Sequence, residues 1–195
     1  SNFSGLGSIN FLDEEIKIRY LKKNKNILLN FPTDDAGLKI KIIANIELNP
    51  FYFDASIILI DKSIDFIIEN FLYILYNIKS ESFGNINGNL HVNIENLDDD
   101  LFDNGKINLS INEKSIKFKE TYLEIKNIGI LKSEFSFEEV DGEILFSSNN
   151  IFEIKNKKAF ARKFQLNKKI LDNINKIFFS LQKNIDSNAV YISNL

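Results

Sequence analysis

The chain has 195 residues, enough for one domain with a substantial core, and carries 24 Lys and Arg against 27 Asp and Glu for a net charge of −3. It has no Cys, which excludes a disulfide framework, a thiolate zinc site, an iron–sulfur cluster and a thiol nucleophile. With 44% hydrophobic residues it has neither the composition of a disordered chain nor the basic excess of a nucleic-acid binder. The absence of Met marks it as a segment of a longer protein, here read as a single β-rich domain over 1–195. Ile, Asn and Lys number 32, 27 and 22, an excess that AT-rich codons supply and that carries no functional weight by itself.

Period-2 alternation dominates from the start and predicts strands with one buried face. Ile16, Ile18 and Tyr20 alternate with Glu15, Lys17 and Arg19, and a turn follows over Phe31–Gly37. Leu38, Ile40, Ile42, Ala44, Ile46 and Leu48 alternate with Lys39, Lys41, Asn45, Glu47 and Asn49. Pro50 separates this strand from the next, Phe51 to Ile60, which is apolar on both parities and therefore expects cover on both faces. A long apolar helix is predicted next, from about 61 to 79. Ile64, Ile67, Ile68, Phe71, Leu72, Leu75 and Ile78 recur at helical spacing, with Asp61 or Ser63 as N-cap. Its apolar arc is wide enough to touch two surfaces.

Strands resume with turn signals at Asn87-Gly88, Asn104-Gly105, Asn112-Glu113, Asp141-Gly142 and Asn149-Asn150. Leu90, Val92 and Ile94 alternate with polar residues, as do Ile107, Leu109 and Ile111. Short strands around Ile116 and Phe118, Leu123 and Ile125, Phe135 and Phe137, Ile144 and Phe146, and Phe152 and Ile154 complete an antiparallel meander. A short basic helix is predicted over Asn167–Asn175, then strands around Ile177–Leu181 and Val190–Ile192. The expected fold is mainly β (α+β): a curved antiparallel sheet or β-groove meander with one long apolar helix and a short C-terminal basic helix.

Chemistry is sparse in this pattern. The one histidine, His91, falls on the polar parity of its strand, where an exposed strand histidine is a better reading than a proton shuttle. No Gly-x-Ser-x-Gly elbow occurs. The run Asp98-Asp99-Asp100-Leu101-Phe102-Asp103-Asn104-Gly105 resembles a calcium loop only in charge. Phe102 and Ile111 occupy ligand positions when the loop is counted from Asp100, so a polar loop is the better reading. Residues 151–185 hold Lys155, Lys157, Lys158, Arg162, Lys163, Lys168, Lys169, Lys176 and Lys183 against Glu153 and Asp172. That is a solvated basic face or a contact with an anionic surface. Phe160, Phe164 and Phe179 lie in phase with apolar neighbours, which argues for burial over base stacking, so nucleic acid is not an expected partner. No catalytic residue, metal ligand or cofactor site emerges, and no enzyme activity is expected.

What remains is a large apolar β surface with little to cover it, and an open apolar trough is an acyl-chain site in physical terms. Alternation nominates Leu38, Ile40, Ile42, Phe51, Phe53, Ile57, Leu90, Val92, Ile94, Ile107, Leu109 and Ile111 as its lining. The competing expectation is a fully covered sheet acting as a structural or protein-interaction domain, with no lipid ligand.

The order of features from about Phe51 to Ile154 resembles the AsmA-like family of bacterial envelope proteins. The resemblance rests on the strand ending Leu59-Ile60-Asp61, the helix opened by Asp61-Lys62-Ser63-Ile64-Asp65, and the segment Gly84-Asn85-Ile86-Asn87-Gly88-Asn89-Leu90-His91-Val92. Gly105-Lys106-Ile107-Asn108-Leu109 and the hairpin Asp141-Gly142-Glu143-Ile144-Leu145-Phe146 complete it. The chain is poorer in glycine and richer in Asn and Lys than that pattern. The resemblance implies a periplasmic module attached to the inner membrane by a segment outside this chain. It also implies an apolar β-groove that binds phospholipid and helps transfer it between membranes or supports outer-membrane assembly, with envelope proteins as further partners.

Overall fold

A computed structural model describes residues 2–11, 14–30, 39–70, 87–112, 115–140, 143–167, 171, 173–184 and 190–193. Twelve strands form one sheet whose spatial order follows chain order. They are β1 (Phe3–Phe11), β2 (Glu14–Lys23), β3 (Asn26–Asn30), β4 (Ile40–Leu48), β5 (Phe51–Ile60), β6 (Asn87–Glu95), β7 (Phe102–Asn112), β8 (Ser115–Ile125), β9 (Gly129–Val140), β10 (Glu143–Ile154), β11 (Lys176–Asn184) and β12 (Val190–Ser193). Among the described residues, helix is found over 64–70 (α1), at Lys157–Lys163 (α2) and at Leu171. β5 and β6 pair in parallel. All other neighbours are antiparallel. A parallel pair needs a long crossover instead of a hairpin, and the 61–86 connection that contains α1 is the one here. The expected all-antiparallel meander is corrected at this pair.

The predicted long apolar helix is corrected as well, and with it the α+β class: the protein is nearly all β, with only short helices among the described residues. The described part of α1, 64–70, is opened by Ser63, whose Oγ accepts the Phe66 N–H at 3.1 Å. Ile67 is buried while Ile68 is 48% exposed, so the described part of the helix packs through one stripe. The predicted positions Phe71, Leu72, Leu75 and Ile78 lie outside the described residues. A basic helix that the sequence reading did not place, α2, comes ahead of the predicted one, and within the predicted span the described Leu171 is helical. Asn156 caps α2 by accepting the Ala159 N–H at 3.0 Å, and Phe160 and Ala161 bury its inner side. In Asn167–Asn175, residues 168–170 and 172 lie outside the described set.

Several predicted turns are strand interior. Asn87-Gly88, Asn104-Gly105 and Asn149-Asn150 sit within β6, β7 and β10, so the latter is one twelve-residue strand. The Ile116–Phe118 and Leu123–Ile125 segments are likewise one strand, β8, with a register shift between Phe118 and Thr121 and Glu120 at φ 51°.

Register assigns the two faces of the sheet. One row crosses every strand: Gly5, Tyr20, Leu29, Ala44, Ala55, Leu90, Leu109, Phe118, Phe135, Ser148, Leu181 and Ile192. Every position but Ser148 is apolar or glycine, and at the usual interstrand spacing the row is about 50 Å long. Three clusters of buried side chains lie on this face. One joins Ile18, Ile40, Ile42, Ile57, Leu59, Val92 and Ile94 to Ile67 of α1. Another joins Ile125, Phe152 and Ile154 to Phe160 and Ala161 of α2. Between them, Leu109, Ile111, Ile116 and Phe118 pack with Phe53, Leu90, Phe135 and Phe137.

Candidate functional site

Side chains two residues apart on a strand share a face, and each register pair carries that parity to the next strand. By this rule Ile40 and Ile42 of β4, Phe51, Phe53 and Ile57 of β5, Leu90, Val92 and Ile94 of β6, and Ile107, Leu109 and Ile111 of β7 all lie on the apolar face. Leu38 lies outside the described residues. These positions are not equally accessible. Ile40, Ile42, Ile57, Val92, Ile94, Leu109 and Ile111 are buried, Phe53, Leu90 and Ile107 are half-buried, and Phe51 is 39% exposed.

Solvent reaches this face at positions outside the nominated lining. Leu48, register partner of Phe51, is 42% exposed, and Phe3 in β1 and Val190 and Ile192 in β12 are more exposed still. Beside the Phe118 core lies an aromatic cluster that sequence reading left out of the site. Phe118 stacks on Phe135 with ring centroids 4.0 Å apart, and Phe137 meets Phe146 at 5.1 Å. Their alternation was legible; their assembly from three strands required the register.

The same face holds one polar island. Asn150 accepts from Ser133 Oγ at 2.8 Å and donates to Ser148 Oγ at 3.0 Å and to the Phe179 carbonyl at 3.3 Å. Ser148 and Asn150 are buried, so these bonds replace the water that the side chains give up.

The opposite face carries His91 and Glu153, while Lys22, Glu139 and Lys183 fall on the apolar parity near strand ends. His91 Nδ1 lies 2.9 Å from Asn108 Oδ1, and Nε2 lies 3.9 Å from Asp54 Oδ1, with both partners of the latter pair well exposed. Among the described residues no hydroxyl is hydrogen-bonded to this ring, so it lacks the nucleophile contact of a triad. Glu153 bridges Lys132 at 2.9 Å and Lys176 at 3.0 Å, tying β9, β10 and β11 together. The hydrogen bonds from those two ammonium groups hold its carboxyl below the usual value.

In the acidic run, Asp99 Oδ1 accepts the Phe102 N–H at 2.8 Å and the Leu101 N–H at 2.7 Å, and these bonds hold its carboxyl below the usual value. Lys126 Nζ donates to the Asp99 carbonyl at 2.6 Å. The run is thus a turn whose aspartate satisfies its own backbone. Among the described residues no group of three or more His, Cys, Asp or Glu is arranged to hold a metal ion. No described helix is long and apolar enough to cross a membrane.

Comparison with known proteins gives no match, whether to a protein-family model, a curated protein or a solved structure.

Proposed function

We propose that this chain is a non-enzymatic lipid-handling module, in which the apolar face of the sheet takes acyl chains while head groups stay in water. The observation that carries this reading is that large apolar side chains on that face stay open to solvent, Leu48, Phe51, Phe3, Val190 and Ile192 among them. An apolar row about 50 Å long spans all twelve strands. Leu48 and Phe51 stay exposed at the mouth of the β4–β5 hairpin, beside the half-buried Phe53. An acyl chain laid along such side chains gains about 0.8 kcal/mol for each methylene it buries. The likeness in element order to AsmA-like envelope proteins points the same way, toward phospholipid as ligand, a periplasmic location and a role in lipid transfer or outer-membrane assembly.

A second reading, a covered sheet that binds a protein partner and no lipid, draws on one observation: Leu109 and Phe118 are only 2% and 1% exposed. One experiment separates the two. Protein purified without detergent is extracted and assayed for bound phospholipid by mass spectrometry, alongside Leu48→Glu and Phe51→Glu. Co-purifying phospholipid that falls in both variants, with circular dichroism unchanged, supports the lipid reading. A lipid-free protein overturns it and leaves the covered sheet.

A further inference from the structure

Part of the basic stretch is built into α2 and the turn that closes it. Residues 155–167 hold Lys155, Lys157, Lys158, Arg162 and Lys163 and no carboxylate, in a chain whose net charge is −3. Lys155, Lys158, Arg162 and Lys163 are exposed. Lys163 lies close enough to Asp99 of the neighbouring turn for the two charges to interact, and that carboxylate also accepts two N–H groups of its own backbone. At the C-terminal end of the helix the cations are followed at once by two exposed apolar side chains, Phe164 at 46% and Leu166 at 42%.

The backbone holds those two side chains in place. The Phe164 N–H donates to the Phe160 carbonyl at 3.0 Å and the Leu166 N–H to the Ala161 carbonyl at 2.8 Å, with Gln165 between them at φ 54°. This is the left-handed closure that ends many helices, made here by glutamine where glycine is usual. The Phe164 ring lies 4.7 Å from that of Phe160, which lies 5.2 Å from Phe152 of the sheet, so a file of rings runs from the core to the surface. Apolar groups fixed in this way lose little further freedom when a partner buries them. We propose that α2 and its closing turn dock on an anionic phospholipid surface, where Lys155, Lys158 and Arg162 meet head-group phosphates and Phe164 and Leu166 enter the boundary between head groups and acyl chains. Charge complementarity selects the anionic surface. The aliphatic Leu166 selects lipid over nucleic acid, whose bases need open aromatic faces, and Phe164 already has Phe160 against it. Register places the β10 end that leads into α2 at the opposite end of the sheet from Leu48 and Phe51, so the inference is independent of the acyl-chain reading.

The chain has no tryptophan, so a single one introduced at the contact reports its own surroundings. Sedimentation is expected to show binding to vesicles of equal parts phosphatidylglycerol and phosphatidylcholine that weakens as salt is raised, and binding about tenfold weaker or less to phosphatidylcholine alone. Lys158→Gln with Arg162→Gln is expected to weaken the anionic binding by about fivefold for each charge removed, with circular dichroism unchanged. Leu166→Ser is expected to weaken it by about tenfold. Leu166→Trp is expected to move its emission to shorter wavelength on the anionic vesicles, while Ile43→Trp, at the 54% exposed Ile43 of β4, does not shift. No binding to the anionic vesicles, binding indifferent to the α2 variants, or an unshifted Leu166→Trp emission on bound vesicles overturns the proposal. So does binding of a DNA duplex at the same salt without binding of vesicles, which would make the patch a nucleic-acid contact. Vesicle binding lost in Leu48→Glu and Phe51→Glu but kept in the α2 variants would move the contact to the other end of the sheet and overturns it as well.

Discussion

Phe53 lies across the parallel β5–β6 pair from Gly88, and its ring and carbonyl oxygen occupy the space that a Cβ at residue 88 would fill. The same arrangement recurs at the first strand pair, where the Tyr20 ring lies over its register partner Gly5. In both places a glycine on the apolar face gives an aromatic ring room to lie flat against the neighbouring strand.

Gly88→Ala is therefore expected to destabilise the protein by about 1–3 kcal/mol, because one of the atoms in the way is backbone and does not rotate aside. Gly7→Ala is the matched control. Its nearest neighbour to an added Cβ is Ile18 Cγ1 at 3.9 Å, an ordinary contact, so the change is expected to be neutral within about 0.5 kcal/mol. Urea midpoints of the two variants check the contrast. Equal midpoints would show that the crowding at Gly88 relaxes freely.

This pair also marks where the sequence stopped being legible. Alternation assigned the faces of β4, β6 and β7 because period 2 is set by the backbone and survives any tertiary context. The twelve nominated lining residues came from that signal, and the eleven described ones share a face. Asn-Gly is a strong turn signal, but at 87–88 and 104–105 glycine serves close packing inside a strand. β1 and β3 escaped notice because FSGLGSINF and NILLN are short on clean alternation. Parallel pairing of β5 with β6 has no local signature, since it depends on the connection and not on the strands. Exposure was the least legible of all. Leu109 and Phe51 look alike in sequence, yet one is core and the other is at the surface. A charge at Leu109 is thus expected to unfold the protein, which makes Leu48 and Phe51 the informative positions for ligand binding.

Two carboxylates give the protein an acid limb of defined sign. Asp99 and Glu153 both have pKa values lowered in the folded state, Asp99 by backbone N–H donors and Glu153 by Lys132 and Lys176. A lowered folded value means the unfolded chain takes up protons first as pH falls. Their stabilisation is complete above the ordinary carboxylate range and is lost progressively as pH drops through the depressed values. The melting temperature is expected to be flat from pH 7 to about 5 and to decline below about 4. Asp99→Asn and Glu153→Gln are each expected to lower it at pH 7 and to flatten the decline. A variant that melts lower at pH 7 yet keeps the full wild-type acid decline would remove that carboxylate from the account.

The polar island on the apolar face offers a test of how a buried asparagine holds its place in a strand. Asn150 is 8% exposed and bonds Ser133, Ser148 and the Phe179 carbonyl, which ties β9, β10 and β11 together within an otherwise apolar surface. Asn150→Leu keeps the branched shape and the number of heavy atoms but leaves the buried Ser148 hydroxyl and the half-buried Ser133 hydroxyl without that partner. The expected cost is about 1–3 kcal/mol. Removing the hydroxyls as well, in Asn150→Leu with Ser133→Ala and Ser148→Ala, takes away both serine groups along with their bonds and leaves only the Phe179 carbonyl of the original partners. That triple variant is expected to recover most of the loss, since replacing the side-chain partners together is close to neutral where replacing one is not. Urea midpoints for the single and triple variants decide it. If the triple variant is the less stable of the two, the serines contribute through contacts other than Asn150, and the island is held by packing instead of by its hydrogen bonds.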